Sequence, residues 1–214
     1  FQAVLQTGKG IMELRLILIG FGNVGRHLVR LLAQKQDELA ARYDLRVRVT
    51  GIATARHGIA IDPAGLDVQA ALAMAERGDA LESLNRGGAA RDNFALIRAG
   101  IADGMVELSP LEPRTGQPAI DHCCAALESG LHVVTANKGP LAHACRHLRD
   151  LAASRRRMFL FESTVMDGAP IFSMYREGLP ATVITAFRAI LNSTTNFILT
   201  QMERGVGFDP VSYT

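Results

Sequence analysis

Apolar residues follow two different periods along the first part of the chain. Residues 14–19 (LRLILI) form a near-continuous apolar run, which predicts a strand covered on both faces. Valine and leucine then recur at helical spacing, which predicts one amphipathic helix over residues 23 to about 42. Residues 46–54 (RVRVTGIAT) alternate in their first half and predict a second strand. These elements together make one βαβ unit.

Strands and helices continue to alternate up to about residue 165. Asp67 and Asp92 are each placed to cap a helix, and we expect these helices to run through Glu76 and Arg98. Further strands are predicted at residues 104–109, 131–136 and 157–165, and further helices at residues 118–129 and 140–153. This order predicts an α/β fold, a doubly wound parallel sheet of Rossmann type.

The pattern changes near residue 166. A Gly/Pro-marked turn (DGAP) and a short helix precede a predicted strand at residues 182–190 and a helix that starts near Thr194. We therefore expect a nucleotide-binding Rossmann domain over residues 12–160. Residues 161–214 would begin a second, mixed α/β domain that is incomplete. Residues 1–11 fit neither pattern and are expected to be an extension or a remnant of expression.

Composition and charge narrow the function classes. The chain has 214 residues, is 48% hydrophobic and 21% charged, and carries a net charge of +2. Its basic residues are dispersed and no run of 18 apolar residues occurs, so neither a nucleic acid nor a membrane is expected as a partner. Three cysteines without C-x-x-C spacing favour a reducing cytoplasm over a disulfide framework.

A glycine-rich turn follows the first predicted strand. Gly20, Gly22 and Gly25 stand in a G-x-G-x-x-G frame between that strand and the first helix. A dinucleotide pyrophosphate needs close approach to backbone amides at a helix N-terminus, and a Cβ would block it. The context within a βαβ unit favours dinucleotide binding, and the alternative is a tight turn without a ligand.

The end of the second predicted strand bears on the choice of cofactor. An NAD site usually places an acidic residue there to bind the ribose hydroxyls, but residues 53–57 read ATARH. The guanidinium of Arg56 could instead meet a 2′-phosphate, which favours NADP and leaves NAD possible. The alternative is that Arg56 is a solvated loop residue.

Lys138 lies at the end of a predicted strand, in the sequence TANK. Ligands of open parallel sheets bind beyond these strand ends. The chain has three lysines and twenty arginines, and an ammonium can transfer a proton whereas a guanidinium cannot. Lys138 is therefore a candidate catalytic residue, and the alternative is a solvated loop lysine.

Several ordered blocks resemble the homoserine dehydrogenase family. These blocks are GFGNVG (20–25), ELSPLEPRTGQPAIDH (107–122), HVVTANKGPLA (132–142), FESTVMDGAPIF (161–172) and AILNSTTNFILTQM (189–202). The resemblance runs from Met12 to about Asp209. It implies an NAD(P)-dependent oxidoreductase that interconverts L-homoserine and L-aspartate 4-semialdehyde in threonine and methionine biosynthesis. It also implies a cytoplasmic homodimer whose second domain binds the substrate and dimerises.

The resemblance carries roles onto individual residues of the first domain. The cofactor would be bound by the glycine turn, with Ser109 and Lys138 beside the nicotinamide. Lys138 would also be catalytic. The turn residues are Gly20, Phe21, Gly22, Asn23, Val24 and Gly25.

In the second domain the resemblance implies a substrate contact and a cation site. Ser193 and Thr194 fall where the family contacts its substrate, although Thr194 could also cap the last helix. A structural monovalent cation, sodium in the family, would be bound at four positions, mostly by backbone carbonyls. These positions are Glu162, Val165, Asp167 and Ala169. The alternative for Glu162 is a helix-capping or surface acid.

Departures from the family pattern keep other functions open. Ala189, Ser193 and Asp167 replace residues that are usually or often glycine, which bears on substrate identity. The family's later acidic block and its principal acid lysine would follow the last residue of this chain. Alternatives are a non-catalytic or truncated nucleotide-binding homologue, or a dehydrogenase acting on another small amino-acid aldehyde.

His143 and His147 stand four residues apart and could share a metal, but no third ligand is evident.

Overall fold

The computed structural model describes residues 11–166 and 168–208. The chain divides into two compact units, of which the first ends at Phe161 and the second begins at Glu162. Each unit is described by itself below. Within the described residues, no helix combines the length and apolar character needed to cross a membrane.

The first unit contains a six-stranded sheet with the strand order β3-β2-β1-β4-β5-β6. Neighbouring strands pair in parallel, except that β3 runs antiparallel to β2. The strands are β1 (Met12–Ile19), β2 (Leu45–Ala53), β3 (Ile59–Ile61), β4 (Gly104–Glu107), β5 (His132–Thr135) and β6 (Phe159–Leu160). The predicted Rossmann-type doubly wound sheet is confirmed.

Strand β3 was not predicted, and it makes the sheet edge antiparallel. The chain reverses tightly after β2, where the Thr54 amide and hydroxyl both donate to the Gly58 carbonyl, at 3.0 and 3.1 Å. Gly58 has φ +72°, a conformation that glycine adopts without strain. A two-strand hairpin therefore extends the parallel sheet at this edge.

Six helices flank the sheet: α1 (Asn23–Gln34), α2 (Gln36–Tyr43), α3 (Val68–Arg77), α4 (Asn93–Ile97), α5 (Ala119–Glu128) and α6 (Lys138–Ser154). A short 3-10 helix, Leu81–Leu84, follows α3. The two predicted caps are confirmed: the Asp67 carboxylate accepts two amide hydrogens of α3, and that of Asp92 accepts the Ala95 amide at 2.7 Å.

The first helical segment differs from the prediction. Instead of one helix to residue 42, α1 and α2 meet at Lys35, whose φ and ψ are −98° and 4°. The side chain of Gln36 donates to the Val47 carbonyl of β2 at 2.6 Å, which ties the start of α2 to the sheet. The chain therefore turns at Lys35 and packs α2 against β2.

The core has two layers because both faces of the sheet are covered. Along β1, Ile17 and Ile19 join a cluster with residues of α4, α5 and α6. Leu18, which points to the opposite face, joins a second cluster with residues of α1 and α3. All three side chains are at most 1% exposed. The continuous apolar run of β1 thus reflects burial on both sides.

The second unit is helical in its described part. It contains a 3-10 helix, Glu162–Thr164, followed by α7 (Ile171–Gly178) and α8 (Ser193–Glu203). Two strand predictions were wrong, one at the end of the first unit and one in the second unit. The strand predicted at residues 157–165 is reduced to the two residues of β6, and residues 182–190 have no regular secondary structure. A strand needs a hydrogen-bonding neighbour, and no described segment pairs with residues 182–190.

Candidate functional site

The sheet changes direction of winding between β1 and β4. Ile19 at the end of β1 pairs with Ala53 of β2 on one side and with Glu107 of β4 on the other. The chain reaches β2 from β1 in one direction and later returns to add β4 on the opposite side. In open α/β sheets, ligands bind in the crevice at this switch point, beyond the carboxyl ends of the strands.

The three glycines of the turn serve two different purposes. Gly20 has φ +107°, and a Cβ there would stand 2.4 Å from the Leu108 carbonyl oxygen. A Cβ on Gly25 would stand 2.8 Å from the Gly20 oxygen, so both positions are dictated by close packing of the backbone. A Cβ on Gly22 would meet no described atom within 4 Å. Gly22 therefore borders open space that a ligand can enter.

The N-terminus of α1 faces the same turn without a side-chain cap. Gly22 is the N-cap residue, no described side chain caps the helix, and the first turn contains no acidic residue. The amides of Asn23 and Val24 therefore lack the usual internal partners, and the helix dipole adds partial positive charge. This arrangement suits a phosphate group. Phe21 is 6% exposed and packs in the core, so its contribution to the turn is limited to its backbone.

Arg26 also reaches this turn, although the sequence analysis did not select it. Its guanidinium donates to the Asn23 side-chain oxygen at 3.1 Å and to the Gly22 carbonyl at 3.4 Å. It thus places a full positive charge beside the uncapped helix N-terminus. The available signal was an arginine four residues after Gly22, on the same face of the helix.

A cleft of about 180 Å³ lies beyond the ends of β4 and β5, beside α1. Its lining combines apolar side chains with a few polar groups, as expected of a ligand site. The lining residues are Val24, Leu108, Ser109, Leu111, Ala136, Asn137 and Lys138. The structure therefore brings together three predicted site residues: Val24, Ser109 and Lys138.

Lys138 is the first residue of α6, which begins two residues earlier than predicted. Asn137 caps this helix, because its side-chain oxygen accepts the Gly139 amide at 2.9 Å. Lys138 is exposed and makes no hydrogen bond or ion pair with any described residue. A cation at a helix N-terminus opposes the helix dipole, so helix stability does not explain a lysine there.

Asn137 joins the two loops that form the cleft. Its side-chain amide donates to the Ser109 carbonyl at 3.0 Å, and its backbone amide donates to the Thr135 hydroxyl at 3.0 Å. The first turn of α6 also packs tightly, since a Cβ on Gly139 would stand 2.8 Å from the Cα of Gly116. These contacts fix Lys138 relative to Ser109.

A buried polar cluster lies behind the cleft, and the sequence analysis missed it. Glu107 and His122 are 0% and 2% exposed, with His122 Nδ1 3.6 Å from Glu107 Oε1. The same carboxylate oxygen accepts the Ser109 amide at 3.1 Å and also the Ser109 hydroxyl. The available signal was an acidic residue directly after a buried apolar strand segment.

Arg56 lies in the exposed turn between β2 and β3. Within the described part of the chain it has no hydrogen-bonding or charged partner, and residues 54–61 contain no acid. The turn follows Ala53, which pairs with Ile19 immediately before the glycine turn. Arg56 therefore extends from the strand next to β1, at the same edge of the sheet.

The predicted substrate residues lie in the second unit. Ser193 and Thr194 are exposed in the first turn of α8. The cap of this helix is Asn192, whose side-chain oxygen accepts the Thr195 amide at 2.8 Å. The interpretation of Thr194 as the N-cap was therefore wrong by two residues, and the hydroxyl of Thr194 is not used for capping.

Among the predicted cation ligands, Glu162 acts as a capping acid. Its carboxylate accepts the Phe172 amide at 2.8 Å, the Ser173 amide at 3.1 Å and the Ser173 hydroxyl at 2.7 Å. The hydrogen bond from Ser173 is the largest cause that lowers the pKa of Glu162. Both carboxylate oxygens thus cap α7, which agrees with the alternative of a helix-capping acid, and the cation site stays a prediction. Asp167 lies outside the described residues.

Of the two candidate metal ligands on α6, His143 contacts a segment outside its own helix. His143 Nε2 lies 2.9 Å from the Pro113 carbonyl, so this nitrogen helps to hold the loop that precedes α5. In residues 11–166 and 168–208, no group of three or more His, Cys, Asp or Glu residues is arranged to hold a metal ion.

Family profiles match both units of the chain. The profile described as "Homoserine dehydrogenase, NAD binding domain" matches residues 20–162, and that described as "Homoserine dehydrogenase" matches residues 170–212. A protein of Pseudomonas canavaninivorans named NAD(+)-dependent homoserine dehydrogenase is 35% identical, with 92% of this chain and 56% of that protein covered. A homoserine dehydrogenase of Methanocaldococcus jannaschii is also 35% identical, with 91% and 57% covered.

Solved structures give the same result. A hyperthermophilic archaeal homoserine dehydrogenase in complex with NADPH superposes with a TM-score of 0.78 at 28% identity, over 94% of this chain and 60% of that one. The enzyme of Thermoplasma acidophilum gives a TM-score of 0.74 at 27% identity, over 94% and 59%. The chain thus spans 56 to 60% of the length of these relatives. It belongs to the homoserine dehydrogenase family, an oxidoreductase family.

Proposed function

We propose that this chain provides the cofactor site and the start of the substrate domain of an NAD(P)-dependent enzyme that interconverts L-homoserine and L-aspartate 4-semialdehyde. The observation that carries this proposal is the juxtaposition at the switch point. An uncapped helix N-terminus and open space at Gly22 lie beside a cleft that holds Lys138. The uncapped helix N-terminus suits a pyrophosphate, and the cleft with Lys138 suits the reacting end of the cofactor.

The residues of the first unit fit a dinucleotide. The amides of Asn23 and Val24, with the charge of Arg26, would hold the pyrophosphate. The apolar wall formed by Val24 and Leu111 would accept a flat aromatic ring such as nicotinamide. When bound, that ring supplies or takes up the hydride.

Lys138 supplies the polar chemistry of the cleft. Its ammonium is exposed and has no partner among the described residues, so it is free to approach a ligand oxygen. In aldehyde reduction it would stabilise the negative charge that develops on the carbonyl oxygen and could donate the proton that this oxygen needs. In the reverse direction the neutral amine, formed after the ammonium has lost a proton, would accept the alcohol proton.

The choice of cofactor is part of the proposal. Arg56, at the end of the strand next to the glycine turn, supports NADP because a guanidinium can pair with a 2′-phosphate. The relatives differ in this respect: the Pseudomonas canavaninivorans protein is named NAD(+)-dependent, whereas the hyperthermophilic archaeal structure contains NADPH. NADP is therefore proposed as the preferred cofactor, and NAD as the alternative.

The remaining features of the proposal rest on family membership. They are substrate contacts at Ser193 and Thr194, a homodimer, a cytoplasmic location, and a place in threonine and methionine biosynthesis. The cation is proposed at Glu162, Val165, Asp167 and Ala169, mostly through backbone carbonyls. No catalytic step is assigned to it.

The experiment is the oxidation of NADPH and of NADH by the full-length protein, with L-aspartate 4-semialdehyde as substrate. We expect activity with NADPH, and we expect Lys138→Ala to lower kcat by about 10²- to 10³-fold because the charge that develops on the oxygen loses a stabilising ammonium. Lys35→Ala is the matched control, since Lys35 pairs with Glu38 on the surface at 2.6 Å. Wild-type-like turnover in Lys138→Ala would refute the catalytic role.

A further inference from the structure

Ser109 lines the cleft, and the hydrogen of its hydroxyl is already used. It donates to the carboxylate of Glu107, which also accepts the Ser109 amide at 3.1 Å. A serine hydroxyl has one hydrogen and two lone pairs. The side chain of Ser109 can therefore only accept a hydrogen bond from a ligand in the cleft.

Polar side chains of β5 and α5 lie beside the carboxylate of Glu107. The Thr135 hydroxyl lies 3.4 Å from Oε2, and His122 Nδ1 lies 3.6 Å from Oε1. The side-chain amide of Asn93 lies 3.2 Å from His122 Nε2. Nδ1 of His122 has no hydrogen-bond partner among the described residues, so the close contacts of Glu107 Oε1 are those from Ser109.

The other polar group of Ser109 is also occupied. Its carbonyl accepts the Asn137 side-chain amide at 3.0 Å. The remaining wall on this side of the cleft is apolar, formed by Val24, Leu108 and Leu111. Among the side chains of this wall, the Ser109 hydroxyl is therefore the one that offers an acceptor to a bound ring.

We propose that Glu107 positions the Ser109 hydroxyl as the acceptor for the carboxamide NH₂ of the bound nicotinamide. This inference rests on the proposed function. The carboxamide NH₂ is a donor that requires an acceptor once it is buried. A contact with Ser109 would select one orientation of the ring in the cleft, and thereby the ring face that meets the substrate. Glu107 acts through Ser109 and is a positioning residue.

The test compares two nucleotides that differ at this group. Dissociation constants are measured by calorimetry on the full-length protein for NADP⁺ and for its 3-acetylpyridine analogue, in which methyl replaces NH₂. Wild-type protein should bind NADP⁺ more tightly by about two- to tenfold, the effect of one hydrogen bond. In Ser109→Ala this preference should vanish. Ser154→Ala, which removes a surface hydroxyl bonded to the Leu151 carbonyl, should retain it.

Two substitutions of Glu107 test its positioning role. Glu107→Leu removes both acceptors and should abolish the preference, because the Ser109 hydroxyl is then free to rotate. Glu107→Gln should keep it, since an amide oxygen can still accept both hydrogens of Ser109 while the NH₂ group meets the Thr135 hydroxyl. The readout is a ratio measured on one protein preparation, so a general loss of affinity does not alter it.

The outcomes separate this inference from the proposed function. Equal preference in wild type and Ser109→Ala, or no preference in wild type, overturns the contact with the carboxamide. Retained preference in Glu107→Leu overturns the positioning role of Glu107. If wild-type protein binds neither nucleotide, the proposed function itself fails. If Glu107→Leu does not fold, Ser109→Ala still decides the contact.

Discussion

The two units of the chain bury their apolar residues to very different extents. The first covers both faces of its sheet, and its core side chains are almost fully buried. In the described part of the second unit, Thr164 alone is classed as buried. Large apolar side chains stay exposed there, including Val183 at 82% and Phe187 at 78%. The first unit thus buries the apolar faces of its own elements, whereas the described part of the second leaves many of its large apolar side chains exposed.

The candidate sites of the two units differ in the same way. The cleft with Lys138 and Ser109 is assembled within the first unit, by contacts between residues far apart in the chain. The contacts of Glu162 and Asn192 in the second unit are local caps of α7 and α8. The cofactor site is therefore supported by geometry, whereas the substrate and cation sites stay predictions.

The largest expected effect concerns backbone packing at the glycine turn. Gly20→Ala would combine a strained φ of +107° with a Cβ 2.4 Å from the Leu108 carbonyl oxygen. We expect the free energy of unfolding to fall by about 2 to 6 kcal/mol, the sum of typical strain and overpacking costs. Gly178→Ala in α7 is the matched control, because its Cβ would meet only the Met174 Cγ, at 4.0 Å. Urea denaturation measures both, and equal small effects would contradict the account of the turn.

The next effect is on cofactor selectivity, which the account assigns to the first unit. Arg56→Ala removes the cation proposed to meet the 2′-phosphate. The ratio of affinities for NADPH and NADH should fall by about tenfold or more, the range for a hydrogen bond to a charged group. Arg91→Ala, on an exposed arginine paired with Asp92, should leave the ratio unchanged. A ratio unaffected by Arg56→Ala would place the selectivity elsewhere.

A smaller effect is expected for Asp103, which pairs with Arg15 of β1 although the two residues are 88 positions apart in the sequence. Its carboxylate accepts the Arg15 amide at 2.8 Å and both Nε and Nη2 of the guanidinium. Burial would raise the pKa of Asp103, but the hydrogen bonds from Arg15 outweigh it and the pKa is lowered. Because the side chains are about one third exposed, Asp103→Asn should cost about 1 kcal/mol at neutral pH.

The pH dependence gives the sign of this contribution. A carboxyl whose folded pKa is depressed stabilises the protein above the unfolded value of 3.8, and that stabilisation disappears as the pH falls through the folded pKa. Wild type and Asp103→Asn should therefore converge in stability under acidic conditions. Denaturant midpoints at several pH values measure this, and a constant gap between the two proteins would contradict it.

The smallest and most local effect concerns Glu162. Since Ser173 lowers the pKa of Glu162, the ionised cap is present above the ordinary value of 4.5 and is lost as the pH falls through the lowered pKa. Amide exchange at Phe172 and Ser173 should accelerate in that acidic range and in Glu162→Ala at neutral pH. Glu177→Ala, at the opposite end of α7, should not change it. Unchanged exchange in Glu162→Ala would show that the cap does not hold the helix.

The sequence predicted the first unit well where local chemistry determines structure. The apolar run of β1, the glycine turn and the caps Asp67 and Asp92 all act within a few residues. The predictions failed where distant contacts decide. The break at Lys35 accompanies a bond from Gln36 to β2, and residues 182–190 have a strand-like composition without a described strand beside them.

The candidate site shows the same division. Lys138 and Ser109 were predicted from motifs and resemblance, and in the structure both residues line the same cleft. Glu107 and His122 were not selected, because they come together only when α5 packs against the sheet. Arg26 was missed because its role depends on the side chain folding back onto the turn.

The most direct test of the central claim is a crystal structure of the full-length protein with NADPH. We expect pyrophosphate oxygens within about 3 Å of the Asn23 and Val24 amides, the hydrogen-bonding range. We also expect the nicotinamide in the cleft between Ser109 and Lys138. A pyrophosphate bound away from the glycine turn, or a cleft filled by protein side chains while the cofactor binds elsewhere, would contradict that claim.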